Sequence, residues 1–232
     1  MYRLALIYLL CFTCRTGESL QVSVPVAPWV SCYEDPPSTV WKGPKTVRTP
    51  PIMSSDGGMK AYAQIEARKG GPMGCENTVR LFVSTGDSAG FRQVFIQKDS
   101  PLNGNANSML PIGWSPDGRW LLVQFAIENY ASDFGGIDVL VYDRGKNRTI
   151  RPDVNYMIKT ALKQDCWINI GSQMSFDASS RIHLRLADFI DEGDDEPQTH
   201  CFHGEEEWVL DLKKGTMHDH SGKVILFPHI HQ

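Results

Sequence analysis

The histidines are the residues whose types and spacing come closest to a chemical site. All seven lie beyond residue 180, and two pairs have a single residue between them: His218 with His220, and His229 with His231. In an extended strand, side chains two residues apart point to the same face, so either pair could present two imidazoles to one metal ion. These four histidines are therefore candidate ligands for zinc or copper, which bind imidazole tightly. The alternative interpretation is exposed polar residues on terminal strands.

A second pattern with catalytic potential runs from Gly86 to Gly90, with the Gly-x-Ser-x-Gly spacing of a serine nucleophile elbow around Ser88. Such an elbow requires a strand before the serine and a helix after it. The preceding strand is present in the sequence, but Phe91 to Ile96 is typical of another strand. We therefore predict a hairpin turn, in which glycine, aspartate and serine are ordinary residues. A serine hydrolase is the competing interpretation.

Polar turns recur along the chain at a regular interval. Their aspartates are Asp56, Asp117 and Asp177. A period of about sixty residues indicates one supersecondary unit used three times. The middle turn, Ser115 to Gly118, is the most complete version. We predict that the aspartates cap backbone amides within their turns, and that Gly57 and Gly118 adopt positive φ.

Segments rich in β-branched and aromatic residues follow each turn. The first strands predicted are Met59 to Ala67, Trp120 to Ile127 and Arg181 to Phe189. The second strands predicted are Val79 to Ser84, Ile137 to Asp143 and Glu207 to Leu212. The fold class is therefore all-β, with about three repeated antiparallel β-meanders. Val154 to Lys163 is the one short helix candidate.

The middle repeat also resembles a known family. Trp114-Ser115-Pro116-Asp117-Gly118, followed by Val139 to Asp143 and a Gly-Lys turn, is similar to the blade motif of TolB-like and WD-like β-propellers. The resemblance covers roughly 51–222. It implies a propeller-like fold and an extracytoplasmic scaffold for binding, but one scaffold hosts many activities.

The number of repeats leaves the architecture open. Propellers usually close with about four to eight blades, whereas three repeats are recognisable in this chain. Further blades could lack the motif, a partial or small propeller could be completed by a second copy in an oligomer, or the meanders could form an open stack.

The N-terminal region predicts export. Arg3 followed by Leu4 to Cys14 has the positive start and short apolar run of a signal peptide, assigned to 1–20. A proline-rich arm follows at 21–50, and the repeat domain occupies 51–232. No transmembrane span is predicted beyond the signal segment. The cysteines remaining after cleavage are disulfide candidates, with Cys166 and Cys201 the preferred pair: Cys32, Cys75, Cys166 and Cys201.

The charge composition restricts the class of partner that the protein can bind. A formal net charge of −4 gives no basic field for nucleic acid, so no nucleic-acid partner is expected. We expect a periplasmic or secreted, non-catalytic binding or scaffold protein that contacts a protein or a small-molecule ligand. A metal-binding protein or metal-dependent hydrolase using the C-terminal histidines is the alternative.

Overall fold

The chain folds into three separate antiparallel sheets. The computed structural model describes residues 45–69, 75–85, 90–98, 105–129, 135–189, 199–222 and 224–226. Neither the predicted signal peptide nor most of the predicted arm falls within these ranges.

The first sheet comprises β1 to β5, and both β1 and β2 pair with the same edge of β3. Its strands are β1 (Lys45–Arg48), β2 (Ile52–Met53), β3 (Met59–Lys69), β4 (Cys75–Thr85) and β5 (Arg92–Lys98). β1 falls within the range predicted for the arm, so regular structure begins before residue 51.

The second and third sheets are meanders in which consecutive strands are neighbours. The second sheet contains β6 (Asn105–Trp114), β7 (Trp120–Asn129), β8 (Gly135–Asp143) and β9 (Arg148–Ile150). The third contains β10 (Ile168–Phe176), β11 (Ile182–Asp188), β12 (Glu206–Asp211), β13 (Thr216–Asp219) and β14 (Val224–Leu226). The three predicted meanders are confirmed, and none of the sheets closes on itself.

The second sheet lies between the other two. Residues Leu121 to Ala126 of β7 are all buried, because successive side chains point to opposite faces and both faces are covered. One hydrophobic cluster joins Leu121, Val123 and Phe125 to the first sheet. A second joins the opposite face of the second sheet to the third sheet. The result is a stack of three sheets with two interior layers.

The predicted helix is confirmed as α1 (Val154–Leu162), between the second and third sheets in the chain. The Asp153 side chain caps it by accepting a hydrogen bond from the backbone amide of Tyr156. Val154, Met157 and Ile158 bury one face in the cluster shared with the third sheet. In the part of the chain that the structure describes, no helix reaches the length and hydrophobicity of a membrane span.

Candidate functional site

The first two turns share one hydrogen-bond pattern. In the middle turn, the amide of Gly118 donates to the carbonyl of Ser115, and the Ser115 hydroxyl accepts the amide of Trp120. The same bonds recur around Ser54 in the first turn. Gly57 and Gly118 have φ of 69° and 65°, which is the left-handed region that favours glycine. The predicted role of both glycines is confirmed.

The third turn aligns differently from the prediction. The amide of Ser180 donates to the carbonyl of Asp177, so Asp177 stands where Ser54 and Ser115 stand in the other turns. Ser180 takes the glycine position, with φ of 63°. Ser179 therefore occupies the position of the other two aspartates. Asp177 still caps its turn, because its Oδ1 accepts the amides of Ser179 and Arg181.

The first two turn aspartates also reach across to the next sheet. Arg144, in the turn between β8 and β9, donates to Asp56 at 2.8 Å. Lys213, in the turn between β12 and β13, pairs with Asp117 at 2.8 Å. Each sheet of the stack is thereby linked to its successor through one carboxylate and one cation.

These contacts lower the carboxyl pKa values. Hydrogen bonds from the Ser54 hydroxyl and from Arg144 hold the pKa of Asp56 well below its usual range. Burial acts to raise the pKa of Asp117, but hydrogen bonds from Lys213 and Ser115 outweigh it and leave a lowered pKa. Both carboxylates are therefore ionised and occupied, which makes the turns structural.

The linking pattern stops at both ends of the stack. The third turn has Ser179 where a linking aspartate would stand. At the other end, the β4–β5 connection runs from Gly86 to Gly90 and contains Asp87 but no lysine or arginine. The first sheet therefore lacks the cation in this turn that Arg144 and Lys213 supply in the other two.

The structure describes half of the candidate metal ligands. His218 lies on β13 and His220 in the turn that follows, whereas His229 and His231 lie outside the described residues. Within the described ranges, no group of three histidine, cysteine, aspartate or glutamate side chains is arranged to hold a metal ion. His218 lies two strands from His183, with Val209 between them.

The other catalytic pattern lacks its required element. Ser88 lies outside the described residues, but Arg92 begins β5, so a strand and not a helix follows the Gly-x-Ser-x-Gly segment. This arrangement is that of a β-hairpin and differs from that of a nucleophile elbow.

The preferred cysteine pair is at disulfide distance. The Cα atoms of Cys166 and Cys201 are 5.8 Å apart, and the bridge joins the segment after α1 to the segment before β12. Asp188 secures the same region by accepting the backbone amides of Cys201 and Phe202. Cys32 and the side chain of Cys75 fall outside the described part of the chain.

Of the five large hydrophobic side chains that are exposed in the described ranges, three belong to the first sheet or the segment just before β5. On β3, buried alanines and Ile65 alternate with outward side chains, and the same alternation continues on β4. We call the outward side the first-sheet outer face. Its apolar members are Met53, Tyr62, Phe82, Phe91 and Ile96. Met53, Phe91 and Ile96 are 62%, 42% and 39% exposed, whereas large apolar side chains are usually buried.

The aromatic rings on this face form one band across the strands. The Tyr62 and Phe82 rings stack with centroids 5.0 Å apart and planes at 13°, and Phe91 meets Tyr62 edge-on at 4.7 Å. The guanidinium of Arg48 lies 5.7 Å from the centre of the Tyr62 ring. Stacking and cation–π contacts of this kind fix the side chains in place. The band is thus a preorganised apolar surface.

Basic side chains border the aromatic band. Lys60 lies two residues before Tyr62 on β3. On the other side of the band, Arg80 lies two residues before Phe82 on β4, opposite Gln64 of β3 and Ile96 of β5. Glu66 pairs with Arg68 and Arg80, which lower its pKa, and Glu76 lies opposite Arg68 in the strand register. None of the ion pairs in the described ranges involves Arg48, Lys60 or Lys98. The face therefore carries excess positive charge on a chain of net charge −4.

The outer face of the third sheet differs in charge. Its ionic side chains pair among themselves: His183 contacts both Asp177 and Glu207, and Arg185 contacts Glu205. The exposed Trp167, at the start of this face, is covered on one side by the Lys159 ammonium at 4.0 Å. Among the described residues, the two outer faces therefore differ in charge: the first sheet has excess positive charge beside its aromatic band, whereas charged side chains of the third sheet form ion pairs with one another.

The distribution of residue size along β3 is a sequence signal for this exposed face, separate from the alternation that predicts a strand. In Met59 to Lys69, the buried positions hold alanines and the outward positions include Tyr62. The larger ring therefore points away from the core, opposite to the usual distribution of size and burial.

Comparison with protein-family models, with characterised proteins and with solved structures gave no match.

Proposed function

We propose that the protein is a non-catalytic binding protein that contacts a protein ligand through the first-sheet outer face. The observation that carries the proposal is the fixed aromatic band, in which Phe91 is exposed and Tyr62 and Phe82 are half-buried. It lies beside basic side chains that form no ion pair in the described ranges. Aromatic residues and arginine are the side chains that most often dominate binding energy in protein interfaces. Exposed apolar patches on soluble proteins commonly mark such interfaces.

The ends of the stack support an open architecture. Because the β4–β5 turn contains Asp87 instead of a cation, the first sheet lacks the link that would join it to a preceding sheet of the same kind. Ser179 ends the linking series at the other sheet. We infer an open stack of three propeller-like blades rather than a ring completed by a second copy. The outer faces are then available to other partners.

Export is part of the proposal. The N-terminal run from Arg3 to Cys14 supports secretion or a periplasmic location, and a Cys166–Cys201 disulfide suits an oxidising compartment. Fractionation of the source cells, with thiol alkylation to count free cysteines, tests this directly. A reduced protein in the cytoplasmic fraction would contradict it.

Site-specific photo-crosslinking in the source cells tests the binding face. Phe91 is replaced by p-benzoyl-phenylalanine, and the matched control carries the same replacement at Trp167 on the third sheet. We expect a discrete intermolecular product from position 91 that is absent from position 167. The yield should fall when Tyr62→Ser is added, provided that thermal unfolding shows the variant to be folded.

Three outcomes would overturn the proposal. The first is a product linking position 91 solely to residues before Lys45 of the same chain, which would assign the face to the protein's own N-terminal region. The second is a crosslinked homodimer alone. The third is equal capture from positions 91 and 167, which would show contact without a preferred face.

A further inference from the structure

We infer that the ligand of the first-sheet outer face is an acidic peptide segment with interspersed apolar residues. This inference rests on the proposed function and specifies the chemistry of the same surface. It follows from the arrangement of charges around the aromatic band, which strand register fixes.

The register orders the face in rows that cross the strands. Tyr62 of β3 lies opposite Phe82 of β4, which forms the aromatic row. Lys60 lies in the row on one side, opposite Ser84. Arg48, Gln64 and Arg80 form the row on the other side. Rows are separated by two residues along each strand, about 7 Å, which is within reach of side chains from one bound segment.

This order matches a segment whose apolar side chains contact the rings while carboxylates lie on both sides. The Arg48 guanidinium, which forms no ion pair in the described ranges, suits a planar carboxylate, whereas the Arg80 guanidinium is already paired with Glu66. Lys60 and Lys98 add mobile point charges without an ion-pair partner in the described ranges. Complementary charge of this kind accelerates association and excludes basic competitors.

The net charge of the chain favours a short acidic segment over an extended polyanion. The whole protein carries −4, so a long anionic polymer that extends beyond this face would meet net repulsion. At physiological salt, charges separated by more than about 8 Å are largely screened. A short peptide confined to the face therefore experiences the local cations and little of the remaining charge.

Fluorescence anisotropy with three labelled peptides tests the inference on the full chain. The first alternates glutamate or aspartate with phenylalanine or leucine; the second replaces each acid by its amide; the third replaces each acid by lysine. We expect saturable binding of the acidic peptide and at least about tenfold weaker binding of the other two. Raising the salt from about 0.1 M to about 1 M should weaken the acidic peptide, because the screening length falls to about 3 Å.

Charge reversal identifies the face. Lys60→Glu with Lys98→Glu should weaken the acidic peptide by about tenfold or more. The matched control is Lys163→Glu with Lys214→Glu, which makes the same change in net charge at the far end of the stack and should leave the affinity within about twofold. All four side chains are at least partly solvent-exposed, and thermal unfolding checks that both double variants remain folded.

The outcomes separate this inference from the proposed function. Equal loss of affinity in both double variants would assign binding to net charge and overturn the inference. Tighter binding of heparin or of phosphatidylserine vesicles than of the peptide, abolished by the Lys60 and Lys98 changes, would reassign the face to an anionic polymer or lipid surface. No peptide binding despite a specific crosslink from position 91 would overturn the acidic ligand class and leave the proposed function standing.

Discussion

Arg144 donates a hydrogen bond to Asp56 at 2.8 Å, across the boundary between the second sheet and the first. The two residues are 88 positions apart in the chain. Lys213 and Asp117 repeat the relationship between the third sheet and the second, at the same distance. The turn motif thus acts twice: its aspartate caps the backbone of its own turn and binds a cation from the next sheet.

A double-mutant cycle on Asp117→Asn and Lys213→Met should measure a coupling of about 0.2–1 kcal/mol, because the pair is partly exposed and screened by solvent. Asp117→Asn alone should destabilise the protein more than Lys213→Met alone, since the Asp117 carboxylate also accepts the Ser115 hydroxyl and the Arg119 amide. Urea unfolding of the four proteins provides the measurement. A coupling of zero with equal single effects would show that the inter-sheet contact contributes nothing.

Gly118→Ala should reduce the free energy of unfolding by about 1–2 kcal/mol, because an alanine at φ of 65° brings its Cβ too close to the backbone. The nearest atom to an added Cβ is Arg144 Nη1 at 3.7 Å, an ordinary contact, so the effect is conformational. Gly136→Ala in β8 is the matched control, with no heavy atom within 4 Å and no positive φ. It should leave stability unchanged or raise it slightly. Equal destabilisation by both substitutions would contradict this explanation.

Several features of the fold could be predicted from the sequence, because they depend on local patterns. The period of the turns revealed the three meanders, and the run Leu121 to Val123 is typical of a strand covered on both faces. The strand β6 was missed, since Pro111 and Gly113 interrupt it and residues on its other half are polar. The third turn was misaligned because aspartate and serine can each accept the same backbone amide.

The candidate surface depends on longer-range information. Tyr62 and Phe82 meet only after β3 and β4 pair in register, and Phe91 joins them from the segment before β5. No local pattern shows which sheet lies at the end of the stack, and that position determines whether an outward ring is covered. The ion pairs between sheets could not be predicted from local patterns either, because they join residues that are far apart in the chain.

Reduction of the Cys166–Cys201 disulfide should lower the free energy of unfolding by about 3–4 kcal/mol, because the bridge closes a long loop with a sequence separation of 35. Part of the effect should appear as loss of the local packing of Phe202 against Trp208, whose rings are 6.3 Å apart. Urea unfolding with and without dithiothreitol measures the change. The variant Cys166→Ala with Cys201→Ala is the control and should show no response to the reductant. A response of equal size in that variant would place the effect at other cysteines.

Protonation of Asp177 in the third turn should lower the free energy of unfolding in acid. Burial acts to raise the pKa of Asp177, but hydrogen bonds from the Arg181 amide and guanidinium and from His183 outweigh it and lower the pKa to about 2. A carboxyl group whose pKa is lower in the folded state contributes stability above its unfolded pKa of 3.8, and that contribution disappears as the pH falls towards about 2. Asp177→Asn should therefore reduce stability at neutral pH and flatten the decline between those two pH values, as measured by urea unfolding across the range. Ser179→Asn changes a neighbouring exposed residue of the same turn and should retain the acid dependence. If Asp177→Asn leaves the slope of the acid limb unchanged, the carboxylate of Asp177 is not the group that couples folding of this turn to protons.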